Sequence, residues 1–150
     1  MPFKVKNDDV RAVMIGQIVL FRERRLNVKT IYWLSRLEKE LIKNYRIYEE
    51  ERLKLNNDYC KLDESGRPVQ KDGDFQFTSE DKRRELFDRV NELRLLEIEI
   101  GIDRLKISLN DLSIVDPNAV SGAKASPMAS LVNADEIRLL EPFIEFVDIV

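Results

Sequence analysis

The sequence predicts a mainly α, α+β fold in a single domain, residues 1–150, built around a long antiparallel helical hairpin. Three observations lead to this prediction. The stretch from Val28 to about Tyr59 contains neither proline nor glycine and repeats apolar residues at helical spacing. A second charged, helix-forming stretch follows a run of turn residues. Short stretches of alternating apolar and polar residues then indicate a small antiparallel sheet, and a C-terminal helix completes the chain.

The composition suits a folded chain with a large exposed surface. Of its 150 residues, 43% are hydrophobic and 35% are charged, and the net charge is −3. This length fits one domain with a buried core. Because both signs of charge are mixed along the chain, we expect no nucleic-acid partner. No apolar run reaches the roughly 18 residues that span a bilayer, so we expect no membrane partner either.

Residues 7–25 are predicted to form the first helix. Asn7, Asp8 and Asp9 would supply cap oxygens and negative charge at its start. The helix is apolar nearly all round, so we expect it to be buried, either in the fold or against another chain. Its apolar side chains supply three interface candidates: Val13, Ile18 and Phe21.

Residues 27–96 are predicted to form the helical hairpin, with Asn27 able to cap its first helix. The seam of that helix consists of residues spaced three, four and seven apart: Ile31, Leu34, Leu37, Leu41, Tyr45, Tyr48 and Leu55. A β-hairpin is expected at 67–78, because Asp72 and Gly73 separate two short alternating runs. Thr78 would then cap a second helix that runs to about Leu95.

The remaining chain divides into three predicted parts. Residues 97–112 alternate in period two and should form two strands, which could pair with each other or with another chain. Residues 113–133 have the composition of a linker or arm. Residues 134–150 are predicted to form a C-terminal helix that is kinked or restarted at Pro142. The apolar residues of these parts give four further interface candidates: Ile98, Ile100, Phe143 and Phe146.

The sequence offers no recognisable site for chemistry, and we expect no catalytic residues, no metal ligands, no cofactor and no small-molecule substrate. The chain has no histidine and one cysteine, Cys60, so neither a zinc cluster nor a cysteine–histidine pair can form. Phosphate-binding glycine loops are also missing from the sequence. The acidic residues of the second half could form a hard-cation site but more simply form a solvated face: Glu97, Glu99, Glu136, Glu141, Glu145 and Asp148.

An aromatic group on the long helix admits two interpretations. Tyr32, Trp33 and Tyr45 could form a stacking platform for single-stranded nucleic acid. No clustered basic residues accompany them, so we interpret them as core residues of the helix seam.

The order of five short motifs resembles a widespread family of uncharacterised small proteins encoded in tailed-phage and prophage genomes. The motifs are LNVKTIYWLSRL at 26–37, DESGRPV at 63–69, EIEI at 97–100, KISLNDL at 106–112 and LLEPFI at 139–144. Together they extend over most of the chain. Asn27 stands where the family usually has proline, and the segment from 115 to 133 is longer than expected. The resemblance implies a phage origin and no catalytic residues.

From the resemblance and the absent chemistry we predict a non-enzymatic virion structural or assembly accessory protein of the head, neck or tail. Its partners would be other phage structural proteins or copies of itself, and its location the virion or the host cytoplasm. Two alternatives stay open: a soluble factor that binds and inhibits or redirects a host protein, and an assembly chaperone absent from the particle. An enzyme would be indicated instead by a turnover that is lost when Glu97 and Glu99 are replaced.

Overall fold

The computed structural model describes residues 2–108, 112 and 134–147, which form a mixed α+β fold with small two-stranded sheets. The elements, in chain order, are β1 (Pro2–Lys6), α1 (Asn7–Gly16), a 3-10 helix (Val19–Arg22), α2 (Val28–Tyr59), β2 (Gln70–Lys71), β3 (Asp74–Phe75), α3 (Glu80–Leu95), β4 (Glu97–Asp103), β5 (Leu105–Ser108), α4 (Ala134–Leu140) and β6 (Ile144–Val147).

The long helix α2 has the bounds that its sequence predicts. The Asn27 side chain accepts a hydrogen bond of 2.9 Å from the backbone N–H of Thr30, which is the predicted N-cap. Its 32 residues give a rod about 48 Å long. Leu34, Leu37 and Leu41 of the predicted seam are at most 2% exposed.

The first helix is shorter than predicted, because α1 ends at Gly16 and not near residue 25. Gln17 has a φ of 48°, the left-handed conformation that commonly ends helices. A Cβ atom at Gly16 would lie 3.1 Å from the Cδ1 atom of Leu139, so glycine lets α4 approach closely. The chain then turns through the 3-10 helix and reaches α2.

The strands of 97–112 pair with elements that the sequence did not place beside them. β4 pairs antiparallel with β1, the N-terminal strand, which the sequence analysis missed. β5 pairs in parallel with β6. The two predicted strands of 97–112 are therefore neighbours in sequence, but among the described residues they do not pair with each other. Residues 109–111 of that range lie outside the described chain, as does the predicted linker 113–133.

The predicted C-terminal helix is wrong beyond Leu140. α4 ends there, and residues 144–147 form the strand β6. Pro142 follows the helix and has no backbone N–H to continue it. Phe143 and Ile144 are fully buried while Glu145 is exposed, a pattern that a strand beside β5 satisfies. Residues 148–150 of the prediction lie outside the described chain.

The helix α3 and the β-hairpin before it lie within their predicted ranges. β2 and β3 pair around Asp72 and Gly73, whose φ values of 54° and 83° fit a two-residue hairpin turn. α3 follows and packs on α2. Its N-cap is Ser79, not the predicted Thr78, and the Ser79 hydroxyl accepts the backbone N–H of Lys82 at 3.2 Å.

The hydrophobic core lies around the first half of α2. It receives side chains from β1, α1, the 3-10 helix, β4, β5, α4 and β6. Leu112 is 2% exposed and joins it. The start of α1 is tied to the end of α3, since the Asn7 amide donates to the carbonyl of Leu93 at 2.9 Å and Arg94 pairs with Asp8 at 2.9 Å.

Candidate functional site

The seven predicted interface residues belong mainly to the core of this chain. Val13, Ile18, Phe21, Ile100 and Phe143 are at most 6% exposed, so their side chains are already packed within the fold. Ile98 and Phe146 are partly buried against the same core. The fold thus buries Val10 and Val13 of α1, but Ile15 is 56% exposed, so the apolar first helix is only partly buried in the fold. Surfaces for a partner must be sought among other residues.

One depression in the surface lies between α2, α3 and the β2–β3 hairpin; we call it the distal groove. Its volume is about 670 Å³. Apolar and aromatic side chains form much of its lining: Phe75, Phe77, Leu86, Phe87 and Val90. Leu86 is the one buried residue of α3, whereas Phe87 is 53% exposed. The helix α3 therefore leaves part of its apolar surface uncovered.

The charges beside the distal groove are largely matched. Arg52 pairs with Glu49 at 2.7 Å, and this hydrogen bond lowers the pKa of the Glu49 carboxyl. Arg83 lies 5.4 Å from the ring centroid of Phe87 and pairs with Glu80 at 3.4 Å. The groove thus presents apolar rings within a mixed-charge rim, which suits contact with another protein surface.

A second depression, which we call the proximal cleft, lies between the first turn of α2 and β5. Its volume is about 260 Å³. Lys29, Thr30 and Trp33 form the helical side, and residues 103–107 form the other side. The Asn27 cap fixes the direction in which α2 begins, and the pairing of β5 with β6 fixes the opposite wall. Both walls thus belong to regular elements.

Tyr32 and Trp33 are exposed beside this cleft, so their interpretation as core residues is wrong. Tyr32 is 52% exposed and Trp33 is 39% exposed. Their rings meet edge to face, with centroids 5.3 Å apart. The Arg36 guanidinium lies 5.8 Å from the centroid of Trp33, and it donates to the Tyr32 hydroxyl at 3.2 Å. Tyr45, by contrast, is partly buried and stacks on Tyr48.

Three cations line the proximal cleft, together with one acid, Asp103. Lys29 is exposed at the start of α2. Arg104 donates a hydrogen bond to the backbone carbonyl of Glu141. Lys106 lies 4.0 Å from Glu145, a loose and exposed ion pair. The cleft combines an aromatic ring with an excess of positive charge in a chain whose net charge is negative.

The acidic residues considered as a cation site are distributed over separate surfaces. Within 2–108 and 134–147, no group of three or more potential metal ligands occurs. Glu97 and Glu99 lie opposite Lys6 and Lys4 in the β1–β4 pair, so each acid has a cation across the strand. Asp148 lies outside the described residues. Cys60 is buried, and its burial raises the pKa of the thiol.

Sequence reasoning missed the residues of the proximal cleft. Arg104 and Lys106 are distant in sequence from Lys29 and Trp33, and only the tertiary fold brings them together. Val28 precedes Lys29 and is 83% exposed, but it lies off the helix seam and does not line the cleft. No described helix is long and apolar enough to cross a membrane.

Comparison with known proteins gives no match. No protein-family model matches the chain, and neither the curated proteins nor the solved structures include a significantly similar one.

Proposed function

We propose that the chain is a non-enzymatic phage structural or assembly protein, of the head, neck or tail, that acts through protein–protein contacts. The observation that carries the proposal is the incomplete cover of the α2–α3 pair. Beyond the core, Phe87 in the lining of the distal groove is 53% exposed, and Leu53, elsewhere on α2, is 52% exposed. Exposed apolar surface with a polar rim is typical of interaction sites. The phage assignment rests on the resemblance of the motif order.

The α2–α3 pair would act as an antiparallel helical hairpin that presents this surface away from the core. Leu86 holds α3 to α2, and the Asp8–Arg94 pair holds the end of α3 to α1. A pair of helices held in this way loses little conformational entropy when it docks. A subunit that must occupy one place in a particle would benefit from such a preformed surface.

The test is quantitative mass spectrometry of purified particles from the source phage, with infected-cell lysate as the comparison. We expect the protein in particles at a copy number that fits a capsid or tail symmetry. Abundance in lysate together with absence from particles would refute a virion subunit. A requirement for particle formation would then indicate a chaperone, and dispensability for it a host-directed factor.

A pair of variants links the particle result to the distal groove. Phe87→Asp places a charge among the apolar groove residues, while Ile47→Asp places it on α2 at a residue that does not line the groove. The two side chains are 53% and 52% exposed, so both substitutions should leave the fold intact. We expect Phe87→Asp to reduce incorporation into particles and Ile47→Asp to be incorporated normally. Equal incorporation of both variants would rule out the groove as the contact.

A further inference from the structure

We propose that the proximal cleft binds an extended, acidic segment of a protein partner, laid along the open edge of β5. This is a second binding site, separate from the distal groove. Its walls are the start of α2 and residues 103–107, and its lining includes Trp33 and the cations Lys29, Arg104 and Lys106.

The backbone of β5 leaves one edge for such a segment. The N–H of Leu105 donates to the carbonyl of Phe143 at 3.2 Å, so residue 105 directs its backbone groups toward the β6 side. Successive residues of a strand direct their backbone groups to opposite sides, which points those of Lys106 away from β6. In the described part of the chain, no strand pairs with β5 there. An extended segment can add at a strand edge through main-chain hydrogen bonds.

The charges of the cleft select an acidic segment. Among the described lining residues, Lys29, Arg104 and Lys106 supply three positive charges against Asp103, and Glu145 beside Lys106 is a second nearby acid, so a positive excess remains. A guanidinium has five N–H donors, so Arg104 can bond the carbonyl of Glu141 and a carboxylate as well. Hydrogen bonds between ionised partners are the strongest of their kind. Carboxylates of the segment would therefore bind at these cations.

The apolar part of the cleft selects the alternate residues of the same segment. Trp33 is 39% exposed and forms the aromatic part of the lining, beside the aliphatic residues Leu105 and Ile107. Side chains of an extended segment alternate between two faces. A segment that alternates acids with aliphatic residues can place carboxylates at the cations and aliphatic groups on Trp33 at the same time.

A nucleic acid fits these surroundings less well than a peptide. Its successive phosphates would extend beyond a cleft of about 260 Å³. Asp103 lies in the lining and Glu145 lies beside Lys106, and both would repel a polyanion. A short peptide needs only one or two carboxylates at the cations, and its backbone can bond the edge of β5.

The test uses the intrinsic fluorescence of the intact protein, because Trp33 is the only tryptophan of the chain. An array of capped hexapeptides, with glutamate or aspartate at alternate positions and varied aliphatic residues between, identifies the tightest probe. That peptide is then titrated into the protein, alongside its counterpart with lysine at every acidic position and an oligothymidylate of similar length. We expect a saturable change in emission with the acidic peptide alone.

Two charge reversals on one helix locate the binding site. Lys29→Glu removes a cleft cation, and a carboxylate in the first turn of α2 favours the helix, so the fold is retained. Lys43→Glu makes the same change about 21 Å along the helix, well beyond the screening length of about 8 Å. We expect Lys29→Glu to raise the dissociation constant of the acidic peptide at least about tenfold and Lys43→Glu to change it less than about twofold.

The proposal is overturned if no acidic peptide gives a saturable change, if the lysine peptide binds equally well, or if both variants bind like the original protein. Tighter binding of the oligothymidylate would also overturn it and assign the cleft to nucleic acid. These outcomes are independent of the particle composition, so the failure of one proposal leaves the other standing.

Discussion

The two halves of α2 have similar apolar spacing but different surroundings. In the first half, Leu34, Leu37 and Leu41 are at most 2% exposed, because seven other elements supply side chains around them. In the second half the buried residues are Tyr48 and Asn56, the seam residue Leu55 is only half-buried, and Leu53, which lies off the seam, is 52% exposed. The comparison shows that apolar spacing specifies the helix, whereas burial depends on what distant segments of the chain bring to it.

The largest expected effect is the loss of a core leucine from the first half. Leu37→Ala should lower the free energy of unfolding by about 2–5 kcal/mol, because the side chain is fully buried and leaves a cavity. Leu53→Ala in the second half should change it by about 0.5 kcal/mol or less. Urea denaturation of both variants measures the difference. Equal losses would mean that the exposed half is covered in solution.

A smaller effect is expected from Leu86→Ala, which removes the one buried residue of α3. We expect a loss of about 2–3 kcal/mol, because a buried leucine is lost from a less enclosed site. Hydrogen exchange should accelerate in α3 and in residues 60–79, and stay unchanged in α1. A uniform acceleration of exchange would instead show that α3 and the core unfold as one unit.

The cap of α2 contributes less again. Asn27→Ala removes the side-chain acceptor for the Thr30 N–H and should cost about 1 kcal/mol. Asn27→Ser restores an acceptor and should recover most of that stability. Because the cap supports one wall of the proximal cleft, acidic-peptide binding should weaken in Asn27→Ala. Unchanged unfolding in Asn27→Ala would contradict the role of the cap.

The smallest effect concerns Glu49, in the second half of α2. Its hydrogen bond with Arg52 lowers the pKa of the carboxyl below its ordinary value, so the pair stabilises the fold at pH values above that ordinary pKa. This contribution, about 0.5 kcal/mol for a partly exposed pair within one helix, is lost as the pH falls through the lowered pKa. Glu49→Gln should remove that part of the pH dependence, and thermal unfolding from pH 6 to pH 3 measures it. An unaltered pH profile in Glu49→Gln would show that the Glu49–Arg52 pair does not contribute to the pH dependence of stability.

Local signals in the sequence were sufficient for the helical part of the fold. The absence of proline and glycine from α2, the Asn27 cap and the Asp72–Gly73 turn each act within a few residues, and the structure has each of them where predicted. The mixed α+β class was predicted correctly for the same reason. The position of the α3 cap was wrong by one residue, because Thr78 and Ser79 are both suitable caps.

Non-local pairings could not be predicted in the same way. Residues 143–147 satisfy a helix or a strand equally well until β5 is placed beside them. Residues 2–6 do alternate in polarity, but a strand of five residues needs a partner, and that partner is β4. The proximal cleft was missed for the same reason, since its two walls are far apart in the sequence. Trp33 therefore seemed to belong to the core.

The pairing of β1 with β4 has a consequence for folding during synthesis on the ribosome. Pro2 meets Asp103 in the sheet, so the first strand waits while the ribosome makes the intervening chain. At about 5–20 residues per second this delay is on the order of 5–20 s. Until then Val5 and the leucines of α2 lack the side chains of β4 that bury them, although α2 itself can already form a helix. The apolar core residues of the nascent chain are thus accessible to chaperones before the fold can bury them.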